Sequence, residues 1–438
     1  MAISIPPTIN YDELIVEDAD SFRISGRLYH DPVIFEQEMD KIFTCGWVFV
    51  GHTTEVPEPG DYVTRWIGRQ PIIMARAEDG NVNLLLNRCR HRGLTVCQED
   101  GGNSSFFRCS YHGWVYSNKG ELTGVPFPSG YEKGLDTKSL GLTPVAKVAV
   151  HRGFIFASLN PHGQSFDEYI GKAKAYLDRF CDMAPEGEVM ANVGRLSARS
   201  NANWKFQLEN LTDQYHVQIT HATGLALRQR AGDKVTNVTF DWENPLQAQR
   251  DLGGGHTVLD RFAVNRSVPS DVVNDNMTGA TGTLDPEVKE ALIRRFGPER
   301  AEWIVHSGPP HIMVFPNLML LWNAFRIIQP ISVEETHYYY YPLMFKGASE
   351  EINARRLRQT LMEFGPAGFI APDDMENFRR AQTGTQATVD EWSILNRGLG
   401  SEKMVEDEFQ QQTLTSQIMN ETTQRGIWRH YKQVMMQP

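Results

Sequence analysis

The pattern of apolar and polar positions changes character twice along the chain. Residues 1–38 read as an arm ending in a helical stretch, DPVIFEQEMDKIFTCGW, where Asp31-Pro32 supplies the N-cap and first-turn pair that starts a helix. From about 39 to 160 the apolar positions come in short runs, DYVTRWI, QPIIMARA, VNLLLNRC and GFIFASLN, separated by PEPG, EDG and NKG. Runs of that length between turn residues predict a small antiparallel β domain. LNPHGQS then marks a boundary, and SFDEYIGKAKAYLDRF opens a helix. The remainder predicts helices over 203–222, 285–306, 349–365 and 419–434, and strands over 312–330 and 334–346. The aromatic-rich ETHYYYYPLMF belongs on a strand covered on at least one face. Residues 249–283, rich in Gly, Asn, Asp and Ser, predict a long loop. No internal repeat or low-complexity tract interrupts this order.

Composition narrows the class. A chain of 438 residues has room for two or three cores. Its net charge of −11, with no basic stretch, speaks against nucleic acid as a partner. The longest apolar run, HIMVFPNLMLLW, is far short of the roughly 20 residues a membrane helix needs, so no membrane partner is expected. The acidic first residues lack the basic and apolar regions of a signal peptide. Five cysteines do not make a disulfide scaffold, and their clustering beside histidines suggests reduced metal ligands in the cytoplasm.

The chemistry concentrates in two places. In CRHRGLTVCQEDGGNSSFFRCSYHGW, residues 89–114, Cys89 and His91 lie in one tight loop and Cys109 and His112 in another, each closed by a glycine. Two loops that each offer one thiolate and one imidazole suit a Rieske [2Fe–2S] centre, with the cysteines on one iron and the histidines on the other. A tetrahedral zinc site is the alternative, although zinc spacings usually place like ligands together. Cys97 fits neither loop and reads as a packed small hydrophobe.

The second place is NWKFQLENLTDQYHVQITHATGL, residues 203–225. His216 and His221 could supply two imidazoles of a 2-His-1-carboxylate site for Fe(II). Asp213, three residues before His216, is placed to hold the ring from outside the ligand set. The carboxylate ligand has candidates at Asp373 and Asp374 in FGPAGFIAPDDMENF, where helix capping is the plain alternative.

With those motifs in view, the chain resembles the large (α) subunits of Rieske non-heme iron aromatic-ring-hydroxylating dioxygenases of the naphthalene, biphenyl and benzoate kind. The likeness runs almost end to end, through WVFVGHTTEVPEPGDY, NRCRHRG and CSYHGW, ENLTDQYHVQITH, FGPAG with its aspartate pair, and RGIWRHYKQVM. It implies an α+β fold, with an all-β Rieske domain (39–160) inserted before a helix-grip catalytic domain (161–438) that includes the 1–38 arm. Cys89, His91, Cys109 and His112 would hold the cluster, and His216, His221 and Asp374 the mononuclear iron. Asp213 would bridge to the Rieske histidine of a neighbouring subunit, which implies a homotrimer or an α3β3 assembly with a small β subunit.

Electrons would come from NAD(P)H through a reductase or ferredoxin, and O2 would enter an aromatic hydrocarbon or aromatic acid as a cis-dihydrodiol. Monohydroxylation or demethylation by the same parts, and a Rieske electron carrier without oxygenase activity, are the alternatives. One departure stands out: Asn210 precedes Asp213 by one residue fewer than in naphthalene-type enzymes, which bears on the role of Asn210. Phe206, Gln207, His311, Leu321, Phe364 and Ile370 are pocket walls by motif position. Ordinary core packing is the alternative for each. None of them is a clear carboxylate clamp; Arg326 and other arginines could serve, and the sequence does not choose among them.

Overall fold

The computed structural model describes residues 9–230, 248–260 and 285–437. Its backbone forms two compact units, one of residues 43–163 with 190–192, the other of 1–42, 164–189 and 193–438.

The first unit is antiparallel β throughout. Val48–His52, Lys147–His151 and Phe154–Ser158 form one sheet, and Asp61–Ile67, Gln70–Arg76, Val82–Leu86 and Gly101–Asn103 a second. A third sheet joins Phe106–Arg108, Val115–Ser117 and Leu122–Gly124. The first two predicted runs form a hairpin, but Ile72 to Ala75 are all buried rather than alternating, so this strand is covered on both faces. Cys89, Cys109, Trp114 and Tyr116 pack with Ile73, Leu85 and Leu142 in one apolar cluster beneath the two cysteine loops.

The second unit is built on a nine-stranded antiparallel sheet. Its strands are β1 (Leu196–Ser200), β2 (Ala248–Gly253), β3 (His256–Asp260), β4 (His311–Val314), β5 (Leu318–Leu321), β6 (Ala324–Ser332), β7 (Glu335–Pro342), β8 (Lys403–Glu406) and β9 (Gln412–Gln417), in the order β1-β7-β6-β5-β4-β3-β2-β9-β8. The helices that carry or brace the site are α1 (Lys205–Leu211), α2 (Val217–Thr220), α3 (Ala222–Arg230), α4 (Glu350–Phe364), α5 (Ala371–Gly384) and α6 (Thr422–Met435). Register places Thr257, Met313, Met319, Arg326 and Tyr340 side by side on one face. Helix α1 meets that face through Thr212 Oγ1, 3.0 Å from Thr257 Oγ1. Helix α6 meets it through Thr423, whose hydroxyl lies 3.0 Å from the Thr212 carbonyl and 3.1 Å from Gln249 Oε1.

Asp31 caps the helix Pro32–Glu38 by accepting the Val33 N–H at 2.9 Å, as its sequence signals. Four expectations need correction, the first being that the helix over 285–306 is two, Pro286–Phe296 and Pro298–Ser307, parted at Gly297 with φ 80°. The single strand over 312–330 is three, because the chain turns at Phe315-Pro316-Asn317 and again at Trp322-Asn323, with Trp322 at φ 50°. The loop expected over 249–283 begins as the β2–β3 hairpin, turned by three consecutive glycines at positive φ (Gly253–Gly255); 261–283 lies outside the described residues. The helix expected over 203–222 is broken between α1 and α2. There Asp213 Oδ1 accepts the Tyr215 N–H at 2.7 Å, a local side-chain bond that competes with helix continuation.

Candidate metal centres

The two cysteine loops have matching backbone geometry. Cys89 N–H donates to the Leu94 carbonyl (2.8 Å) and Gly93 N–H to the Cys89 carbonyl (2.9 Å). In the other loop Cys109 N–H donates to Trp114 (2.8 Å) and Gly113 N–H to Cys109 (3.0 Å). Gly93 and Gly113 sit at φ 75° and 71°, where a β-carbon is strained, which is why each loop closes on glycine. Both cysteines are buried. The imidazoles of His91 and His112 lie with centroids 4.4 Å apart, His91 stacked on Trp114 at 5.0 Å and His112 against Tyr111 at 3.8 Å.

Two observations test the fit to a cluster. His91 Nδ1 is buried and meets no hydrogen-bond partner among the described residues, as a nitrogen reserved for a metal would. The two sulfurs and two imidazoles do not converge tightly enough for one ion, so the set suits a two-iron cluster better than tetrahedral zinc. Tyr116 adds a contact that the sequence did not point to. Its hydroxyl oxygen accepts the Arg90 N–H (3.0 Å) and lies 3.2 Å from Cys89 Sγ, to which it would donate once that sulfur is a thiolate. Cys97 lies in the apolar cluster and its thiol is pushed up to about 12 by burial, as expected of a packed residue.

In the other unit, one set of three side chains converges closely enough for a single ion among the described residues: His216, His221 and Asp374. Asp374 Oδ1 lies 3.7 Å from His216 Nε2 and 3.3 Å from His221 Nε2. Ligands at roughly 2.1 Å from an octahedral ion stand about 3 Å apart, so Asp374 lies within about 1 Å of ligand spacing from both rings. His216 and His221 flank α2 as its caps, and Asp374 occupies the first turn of α5. The aspartate pair lies inside that first turn rather than before it, since α5 starts at Ala371 with Pro372 fixing the backbone; neither aspartate caps the helix.

The outward nitrogens of both rings also face carboxylates. His216 Nδ1 is 3.2 Å from Asp213 Oδ2, too far off line for a good hydrogen bond, and His221 Nδ1 is 3.5 Å from Asp373 Oδ2. Burial opposes a charge on His221, but Asp374 and Asp373 outweigh it and raise its pKa. Asn210 Nδ2 reaches both His216 Nε2 (3.2 Å) and Asp374 Oδ1 (3.3 Å), and Gln207 Nε2 donates to Asn210 Oδ1 at 3.3 Å. Asn210 thus borders the site despite its shifted spacing from Asp213. The donor set of two imidazoles and one carboxylate fits a divalent iron.

Four of the six wall residues lie close around this region or its sheet face. Gln207 supports Asn210, Phe364 stacks on Trp322 (5.8 Å) and Tyr340 (5.5 Å), His311 packs against Trp322, and Leu321 precedes Trp322 on β5. Ile370, just before α5, is half-buried and its carbonyl accepts the Asp374 N–H. Phe206 instead stacks between Tyr29 and Phe378. Trp322 and Tyr340 were not singled out from sequence, although the alternation of HYYYY on β7 carries the signal for Tyr340.

Residues 46–140 match the family described as the Rieske [2Fe-2S] domain, and 188–437 the one described as the ring hydroxylating alpha subunit (catalytic domain). The chain belongs to the ring-hydroxylating dioxygenase family, as a large (alpha) subunit. It is 34% identical to the 2-halobenzoate 1,2-dioxygenase large subunit of Burkholderia cepacia and 32% to the anthranilate 1,2-dioxygenase large subunit of Acinetobacter baylyi, over 86% of this chain and 80% of each relative. Its structure is similar to that of naphthalene 1,2-dioxygenase with indole bound in the active site, with a TM-score of 0.81 at 29% identity, covering 98% of this chain and 95% of the other. Members of this dioxygenase family are oxidoreductases that incorporate O2, with a Rieske [2Fe–2S] cluster and a non-heme iron as cofactors. No helix among the described residues is long and apolar enough to cross a membrane.

Proposed function

We propose that this chain is the terminal oxygenase of a multicomponent system that cis-dihydroxylates an aromatic ring, using O2 and electrons passed from NAD(P)H by a reductase or ferredoxin. The observation that carries this reading is the convergence of His216, His221 and Asp374 on one point, in a chain that also has the paired Cys-His loops. When bound, the cluster supplies single electrons and the iron supplies the site where O2 is reduced.

The protein's share is to hold and to insulate. Cys89, Cys109, His91 and His112 hold the cluster, and His112, half-buried beside exposed Tyr111, is the ring placed to meet another subunit. Asp213 faces His216 from outside the ligand set and Asp373 hydrogen-bonds His221 there, which bears on ring orientation and basicity. Asp213 keeps a quarter of its side chain exposed, enough to take a hydrogen bond from the His112 of a neighbouring subunit. That bridge makes a trimer, or a trimer with small β subunits, the working unit, in the cytoplasm. Asn210 orients Asp374, and the aromatic rings of Trp322, Phe364 and Tyr340 exclude water from the substrate side.

The test is iron and acid-labile sulfide per chain, an electron paramagnetic resonance spectrum after dithionite, and 18O2 turnover on a panel of aromatic compounds. About three irons, two sulfides, a Rieske signal and a diol with both oxygens from one O2 are expected. One labelled oxygen per product would make the chain a monooxygenase. A cluster without the third iron, still passing electrons, would make it a carrier.

A further inference from the structure

Six arginines are buried among the described residues: Arg65 in the first unit and Arg179, Arg250, Arg326, Arg356 and Arg425 in the second. Four face carboxylates. Arg179 pairs with Glu408 at 2.8 Å and Asp260 at 3.3 Å, Arg425 with Glu402 at 2.7 Å, Arg250 lies 3.7 Å from Asp260, and Arg65 pairs with Glu55. Arg356 donates its Nε–H to the Leu343 carbonyl at 3.0 Å and lies over the Phe345 ring. Arg326 is different. Among the described residues no carboxylate lies within 4.0 Å of it and no hydrogen bond holds it; its neighbours are the rings of Tyr340 (4.4 Å) and Phe364 (5.3 Å). Only 5% of the residue is exposed, yet its nitrogens are not sealed off in protein.

A buried guanidinium without a counter-charge costs several kcal/mol in general, so a protein that keeps one usually has an anion to place there. The place is on the site face of the sheet. Arg326 stands in register with Met319 and Tyr340, and Phe364, which borders it, stacks on Trp322. Tyr340 senses the positive charge of Arg326 and the negative charge of Asp374 together, which puts the two within electrostatic reach of one ring. A planar fork held between aromatic rings, near a metal-binding carboxylate, matches a flat anion carried on an aromatic ring.

We propose that Arg326 binds the carboxylate of the substrate, and that this oxygenase acts on an aromatic acid rather than on an uncharged hydrocarbon. The inference rests on the ring-hydroxylating reading above. The carboxylate takes two parallel N–H bonds from Arg326, and the substrate ring lies along the Phe364–Trp322 wall. Arg326 thereby becomes a specificity residue, and neutral aromatics leave its charge unpaired when they enter.

The test compares wild type with Arg326→Gln and Arg326→Lys, each checked for iron, sulfide and the Rieske signal. Steady-state turnover is measured on benzoate and 2-hydroxybenzoate, and on benzamide and naphthalene as uncharged comparators; benzoate binding is measured separately by calorimetry. Arg326→Gln is expected to raise KM for the acids about 10- to 100-fold with a much smaller change in kcat, and to cut the acid-over-amide preference by a similar factor. Arg326→Lys, which keeps the charge but loses the fork, falls between. Equal losses on acids and neutral rings, or wild-type preference for naphthalene and benzamide, would overturn the assignment. If the wild type, fully loaded, oxidises none of the four, the ring-hydroxylating reading fails. Calorimetry then decides the arginine by itself: benzoate binding weakened in Arg326→Gln upholds the clamp, and equal binding in both removes it.

Discussion

The buried pair Lys205–Glu38 ties the N-terminal arm to the helix that leads into the iron site, and replacing Lys205 with Met tests how much the fold depends on it. Lys205 Nζ lies 2.6 Å from Glu38 Oε1, and both side chains are essentially shielded from solvent (2% and 0% exposed). Glu38 also accepts from Trp204 Nε1 at 2.8 Å and the Tyr431 hydroxyl at 2.5 Å, so one carboxylate joins the Pro32–Glu38 helix, α1 and α6. Burial pulls the Lys205 pKa down, and the Glu38 charge only partly restores it. Methionine fills a similar volume, so the cavity cost is small. What remains is a buried carboxylate without its cation, which costs about 3–5 kcal/mol. At the lower end of the roughly 2–4 °C per kcal/mol of mid-sized domains, the catalytic unit's transition in scan-rate-matched calorimetry should fall by about 6–10 °C. Glu38→Gln added to Lys205→Met removes the stranded charge and keeps an acceptor, so the double variant should recover at least about 2 kcal/mol of the loss. A single variant melting within about 1 °C of wild type, or a double variant less stable than the single, would refute the reasoning.

Asp213→Ala should keep about three irons per chain and a dithionite-reducible cluster while turnover falls about 10- to 100-fold; wild-type rates would remove Asp213 from the electron path. Tyr116→Phe removes one hydrogen bond to a cluster sulfur, worth about 1.5–3 kcal/mol, and should lower the Rieske potential by roughly 60–120 mV in a redox titration; an unchanged potential would show that the hydroxyl proton points elsewhere. His256 and His430 are both held at about 4 by burial, so the native state binds fewer protons than the unfolded chain between pH 4 and 6.5. Their contribution, up to roughly 3 kcal/mol each, is therefore complete above pH 6.5 and lost as the pH falls toward 4. Melting temperature against pH should slope downward on acidification in that window, less so in His430→Gln, and equal slopes would argue against it.

The metal chemistry was legible because it is local. A Cys-x-His or Cys-x-x-His loop needs its glycine four residues after the cysteine, and both loops keep that spacing, so sequence order and backbone geometry report the same thing. The sheet was harder to read. The run from 311 to 330 is apolar almost throughout, because β4, β5 and β6 are buried strands without clean alternation. Only Pro316, Asn317 and Asn323 mark the two turns. The α1–α2 break is invisible to periodicity for another reason: it depends on whether Asp213 bonds to Tyr215 or leaves the backbone to the helix, a competition decided by tertiary contacts. Arg326 was visible as a charge on an apolar strand, but that no carboxylate and no hydrogen bond among the described residues meets it is a property of the folded neighbourhood, and that combination singles it out from the other buried arginines.

The same neighbourhood logic explains how the iron site tolerates its own charge. Asp213, Asp373 and Asp374 surround two imidazoles, and Asp374 and Asp373 raise the His221 pKa against the pull of burial, which favours a proton there before metal binds. Iron needs the neutral ring, so binding must release that proton. Affinity should therefore rise with pH through the region of the raised His221 pKa and level off above it. Protons released per iron, measured in two buffers of different ionisation enthalpy, should be greatest below that region. Replacing Asp373 with Asn weakens the carboxylate pull on His221 and should reduce the release, leaving Asp374 to bind iron. Release that is independent of pH, or the same in Asp373→Asn, would mean that His221 is neutral before the metal arrives and that the outer carboxylates act only to orient the rings.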